Sequence, residues 1–148
     1  GSGYNRIFRT SIEMWKEQPL TGFGLKSFRI KCWEILSKNP LKKGQKGSKY
    51  ACGNHPHNYY FEFLSEAGLI GTILLIIFFL ILMKKSFHCI IKYNKEKNLE
   101  MFLMVPVVII IFLEIWPLRS TGSFFTNWNA TFFWLNAALL VAARTKKL

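Results

Sequence analysis

Three apolar blocks, at roughly 64–83, 101–118 and 124–143, limit the fold of this chain more than any other feature. A helix needs about 20 residues, at about 1.5 Å each, to cross the hydrocarbon of a bilayer. The first two blocks are slightly short by that measure, so tilt, local thinning or helix ends outside the hydrocarbon are required. Lipid offers no partners to unpaired backbone groups, and a helix satisfies its own internally. With 51% of the residues hydrophobic, the expected fold is all-α: a polytopic membrane protein with three transmembrane helices. The chain opens Gly1-Ser2-Gly3, with neither an initiator Met nor a signal-peptide pattern. Three spans leave little room to enclose a site, so a fragment of a larger polytopic protein is expected.

The formal net charge of +12 is unevenly spread: residues 1–57 hold eleven of the twenty Lys and Arg against three Glu, and Asp is absent. Nucleic acid is a common partner of basic chains but a poor one for a chain half embedded in lipid. Anionic headgroups or a pyrophosphate suit it better. Near the apolar blocks, Lys46, Lys49 and Arg119 lie on one side, and Lys84, Lys85, Lys92, Lys95, Lys97, Arg144, Lys146 and Lys147 on the other. The positive-inside rule weighs positions within about 15–20 residues of a span. It puts the 84–100 connection and the C-terminal tail in the cytoplasm, and residues 1–57 and 117–123 outside. Cys32 and Cys52 then share the oxidising side, where disulfides persist, and Cys89 the reducing one. A Cys32–Cys52 bridge and two unpaired thiols both remain open, since sequence does not establish pairing.

Along the outer loop, residues 5–18 read as an amphipathic helix, with Ile7, Phe8, Ile12 and Trp15 near helical spacing. Pro19 ends it and Thr21-Gly22-Phe23-Gly24 makes a turn. A second amphipathic helix is expected over 26–37, followed by a Lys- and Gly-rich loop over 39–49. Next comes His55-Pro56-His57-Asn58. Pro is favoured in the first turn of a helix, so a helix is expected to start around 55–57 and run on into the membrane. Gly68 and Gly71 are spaced to let a neighbouring helix approach closely. Glu114, inside the second block, is costly there unless functional or neutralised by Arg119. Trp116, Trp128 and Trp134 mark interfacial positions.

His57-Asn58, nine residues, then Gly68-Leu69-Ile70-Gly71 resembles the signature of the O-antigen ligase/polymerase family of membrane glycosyltransferases. Pro19-Leu20-Thr21-Gly22-Phe23-Gly24 ahead of Phe28-Arg29, a Cys after that Arg paired with a Cys before His-Pro-His-Asn, and Gly122-Ser123-Phe124-Phe125 are similar to further stretches of its members. The resemblance implies that this is the C-terminal part of a protein of about a dozen spans. It implies transfer of a glycan from undecaprenyl pyrophosphate to an acceptor hydroxyl on lipid A-core, another repeat unit or a protein. It implies no metal and no nucleotide cofactor, and a large periplasmic loop on the bacterial inner membrane. Relatives often carry an Arg directly after a Ser-Gly at the start of this loop. Here Tyr4 stands at that position, which leaves Arg6 or Arg9 to take the role.

The residue types suit that chemistry. A neutral His57 serves as general base toward the acceptor hydroxyl, and the positive end of a helix disfavours its charged form. Alternatively, His57 only binds phosphate. Arg6, Arg9, Arg29 and Lys26 are candidates to hold the pyrophosphate, arginine being suited to bidentate contacts. His55 is expected to orient or support, Asn58 to cap the helix or steady His57, and Glu114 with Arg119 to form either an ion pair or part of a substrate site. The His-Pro-His pair lacks the four-ligand spacing of structural zinc. Repeat-unit polymerisation is the nearest rival function. A transporter or lipid-scaffolding protein, whose basic loop only grips headgroups, is a rival of another class.

Overall fold

The computed structural model describes residues 3–40, 48–96 and 99–142, which form six α-helices and no strand. These are α1 (Gly3–Glu17), α2 (Phe28–Lys38), α3 (Tyr59–Glu66), α4 (Gly68–Glu96), α5 (Leu99–Ile115) and α6 (Asn127–Ala142). Ser2, Lys46, Lys97, Arg144, Lys146 and Lys147, all used above, lie outside the described residues. Among the described residues one helix, Gly68–Lys92, is long and apolar enough to cross a membrane, and Phe102–Ile115 is apolar but shorter. The sequence expectation of three spans therefore meets one clear span, since α5 has 17 residues and α6 has 16. Leu74, Ile77, Leu80 and Ile81 of α4 are exposed, as suits a helix whose solvent is lipid.

The chain divides into two compact units, Gly1–Leu75 with Ser120–Phe125, and Ile76–Arg119 with Thr126–Leu148. In the first, α1 packs on α3 and α2. Met14, Phe28, Cys32 and Ile35 form its core, flanked by Ile7, Phe23, Tyr50 and Cys52. Cys32 and Cys52 are joined in a disulfide, with their Cα atoms 5.4 Å apart. The buried Thr10 hydroxyl seats the segment that carries Cys52. It accepts from the Ala51 amide at 3.2 Å and lies 2.8 Å from the Ala51 carbonyl. In the second unit α5 packs on α6, burying Val107, Val108, Ile111, Phe133, Ala137 and Leu140. Phe79 meets Phe133 with ring centroids 5.9 Å apart.

The structure corrects the expectation of one helix running from 55–57 into the membrane. The helix starts at Tyr59, because the Asn58 side-chain carbonyl accepts from the Tyr60 and Phe61 amides at 3.0 and 3.4 Å. A capping Asn satisfies donors that Pro56 leaves untouched, and it fixes the helix start. The helix then stops at Glu66, and Gly68 restarts it with φ +65°, a conformation that suits glycine. At its other end α4 runs on past Met83 through Lys84 and Lys85 to Glu96.

Candidate functional site

His57 sits just ahead of the α3 cap with φ +59°. That region is sparsely populated by non-glycine residues, costs on the order of 1–3 kcal/mol, and persists only where the surroundings over-determine it. Here Pro56 is fully buried on one side and Asn58 is tied into its cap on the other. The His57 carbonyl accepts from the Thr121 amide at 2.9 Å. The half-buried ring lies 4.2 Å from the His55 ring and, edge-on, 5.6 Å from the Tyr4 ring. His55 is held below the usual histidine range, by burial first and by His57 second, against a backbone hydrogen bond with Thr121. Its Nε2 is buried with no hydrogen-bond partner among the described residues.

Two acids on one face of α3, four residues apart, organise the surroundings. Glu62 is 2% exposed. One of its oxygens accepts a short bond from the Ser123 hydroxyl and the other accepts from the Phe124 amide at 2.7 Å. The rings of Tyr59 and Phe63 meet Phe124 at 5.1 and 5.4 Å. Glu62 and these rings together lock segment 120–125 onto α3. Burial pushes the Glu62 carboxyl up to about 7, outweighing the two hydrogen bonds that favour its charged form. Glu66 raises it further and Lys26 lowers it.

Glu66, 1% exposed, reaches the start of α2. Its oxygens accept from the Phe28 amide at 3.0 Å and the Lys26 amide at 2.6 Å. Burial raises its pKa, opposed by those two amides and by the charges of Arg29 and Lys26. The stretch 19–24 crosses the break between α3 and α4 and pairs the groups that a helix end leaves open. Pro19 and Leu20 carbonyls accept from the Leu69 and Ile70 amides at 2.8 and 3.2 Å. The Phe23 and Gly24 amides donate to the Ser65 and Glu66 carbonyls at 3.4 and 2.8 Å. A Cβ on Gly22 would collide with the Glu66 main chain, and one on Gly68 with that of Leu20. The expected close approach at Gly68 is thus made by an irregular segment of the outer loop, while Gly71 faces Ala67 and Phe63.

The other sequence candidates are placed as follows. Arg6 and Arg9 are exposed on α1. Helical geometry turns them about 200° and about 140° from Tyr4, at about 100° per residue, and it is the Tyr4 ring that meets His57. Lys26 and Arg29 are exposed and act electrostatically on Glu66. Among the described residues no hydrogen bond or ion pair joins these four cations to His57. Arg119 pairs with Glu114 at 2.7 Å. Glu62 and Glu66 are not among the site residues expected from the sequence. Their signal is two acids one turn apart on a helix rich in aromatic residues, directly after a capping Asn.

The disulfide-pinned loop and the histidine segment thus precede, through α3, a helix long and apolar enough to cross a membrane. The family model of O-antigen ligase matches residues 2–76, and the chain belongs to that family, which comprises membrane-embedded glycosyltransferases of ligase and polymerase type. Such proteins act on lipid-linked glycans and their acceptors. No curated protein and no solved structure matches the chain.

Proposed function

We propose that this chain carries the acceptor-side loop and adjoining spans of an enzyme that moves a glycan from undecaprenyl pyrophosphate to an acceptor hydroxyl. Residues 1–57 and 117–123 lie in the periplasm, and α4, α5 and α6 cross the inner membrane. The His57 imidazole takes the proton of the acceptor hydroxyl, whose oxygen attacks the anomeric carbon. The bond from that carbon to the pyrophosphate oxygen breaks, and the diphosphate leaves with the electron pair. The exposed guanidinium groups of Arg6 and Arg9, with Lys26 and Arg29, meet its negative charge.

One observation carries this reading. His57 lies within the family-matched residues, in a backbone conformation held from both sides, one eight-residue helix ahead of the Gly68–Lys92 span. A position of that kind supports the reading of His57 as a base acting between a lipid-borne diphosphate and a headgroup-level hydroxyl. The test is His57→Ala in the full-length protein, with surface polysaccharide as readout. Transfer is expected to fall by roughly 10²–10⁴, the range for a lost general acid–base group, at normal protein level in the membrane. Lipid-linked chains left unattached indicate ligation, single units left attached indicate polymerisation, and unchanged polysaccharide refutes the catalytic assignment.

A further inference from the structure

We propose that Glu62 is a positioning residue for His57, acting through segment 121–124. The proposal rests on the assignment of His57 to the transfer step. The Glu62 carboxylate commits one oxygen to the Ser123 hydroxyl and the other to the Phe124 amide, and the same short segment delivers the Thr121 amide to the His57 carbonyl. The Glu62 amide donates to the Asn58 carbonyl at 3.0 Å, so its main chain is anchored at the residue after His57 while its side chain holds the segment that bonds the His57 carbonyl. A buried acid is costly where an apolar side chain would pack. This one is spent on fixing a neighbouring segment in register. His57 needs such support because its left-handed backbone, φ +59°, relaxes unless its neighbours hold it. Release of the Thr121 bond lets the main chain turn, and the imidazole turns with it.

The experiment uses the full-length protein reconstituted in lipid with an undecaprenyl-pyrophosphate-linked glycan and an acceptor. Glu62→Gln keeps the side-chain size but puts an NH2 donor where one acceptor oxygen was. Its kcat is expected to fall roughly 10- to 100-fold, the cost of a misplaced reacting group, with KM for the donor within about twofold of wild type. Hydrogen exchange at the Thr121 amide should speed up. Ser123→Ala, which leaves the carboxylate and the Phe124 bond, should lose less. The double variant should lose no more than Glu62→Gln alone, because both changes open the same clamp. Wild-type kcat in Glu62→Gln beside an inactive His57→Ala overturns the proposal. So does a raised KM at unchanged kcat, or a loss of activity that only follows a loss of folded protein. An active His57→Ala instead removes the assignment beneath it.

Discussion

The first turn of α2 lacks the local cap that most helices carry. Ser27 makes no capping bond, and its hydroxyl is buried with no partner among the described residues. Glu66 accepts from the Phe28 amide in its place, 38 residues away in sequence, so a negative charge still faces the positive end of the helix. Glu62 and His55 give this unit opposing responses to pH. With its carboxyl raised from 4.5 to about 7, folded Glu62 keeps a proton that the unfolded chain releases. Its contribution to stability is full below the unfolded value and is lost as pH rises through about 7. His55, held below 6.5, works the other way, since acid protonates the unfolded chain first. Glu62→Gln should therefore gain thermal midpoint on wild type as pH rises from about 5 to about 8. A difference that does not change with pH would contradict the buried-acid account.

Between α3 and α4, the chain stops one helix and starts another, and four of the groups opened at the break find partners in the 19–24 stretch. The 19–24 stretch supplies two acceptors and two donors across the break. This requires main chain to lie against main chain, which side chains at 22 and 68 would prevent. Gly22→Ala adds a Cβ to a residue at φ +65° and into the Glu66 backbone. It should destabilise the first unit by about 1–3 kcal/mol. Gly3→Ala, with nothing within 4 Å of the added carbon, should be neutral or slightly stabilising. Thermal unfolding of the full-length protein in detergent, variant against variant, measures the contrast. Equal midpoints would mean that the close approach is not needed. The Cys32–Cys52 disulfide closes the remaining side, joining α2 to the segment that leads into His55.

The distribution of cations along the chain carries a prediction about orientation. In the proposed orientation, with residues 1–57 outside, a cysteine at the exposed position 54 should be reached from outside. One at the exposed position 95 should not. In a Cys89→Ser background of intact cells, Asn54→Cys should react with a membrane-impermeant maleimide, and Lys95→Cys only after permeabilisation. The reverse pattern would place His57 in the cytoplasm, away from the proposed substrates.

Much of this was legible from residue order. Hydrophobic blocks specify apolar helices because apolarity and length are local properties; α1 and α2 fall close to the amphipathic stretches, and α5 and α6 close to the apolar blocks. The His57 motif was legible because its spacing is itself linear. The ends of α3 were not, because an Asn side chain that captures two amides overrides the helix-starting preference of Pro56. Nor was the pairing of Glu62 with a segment 61 residues away, since sequence does not say which open amide a buried acid will find. Sequence by itself determined an all-helical chain with a histidine ahead of a long apolar helix, through composition and spacing. The tertiary structure decided how that histidine is held, because its support comes from hydrogen bonds between groups that only folding brings together.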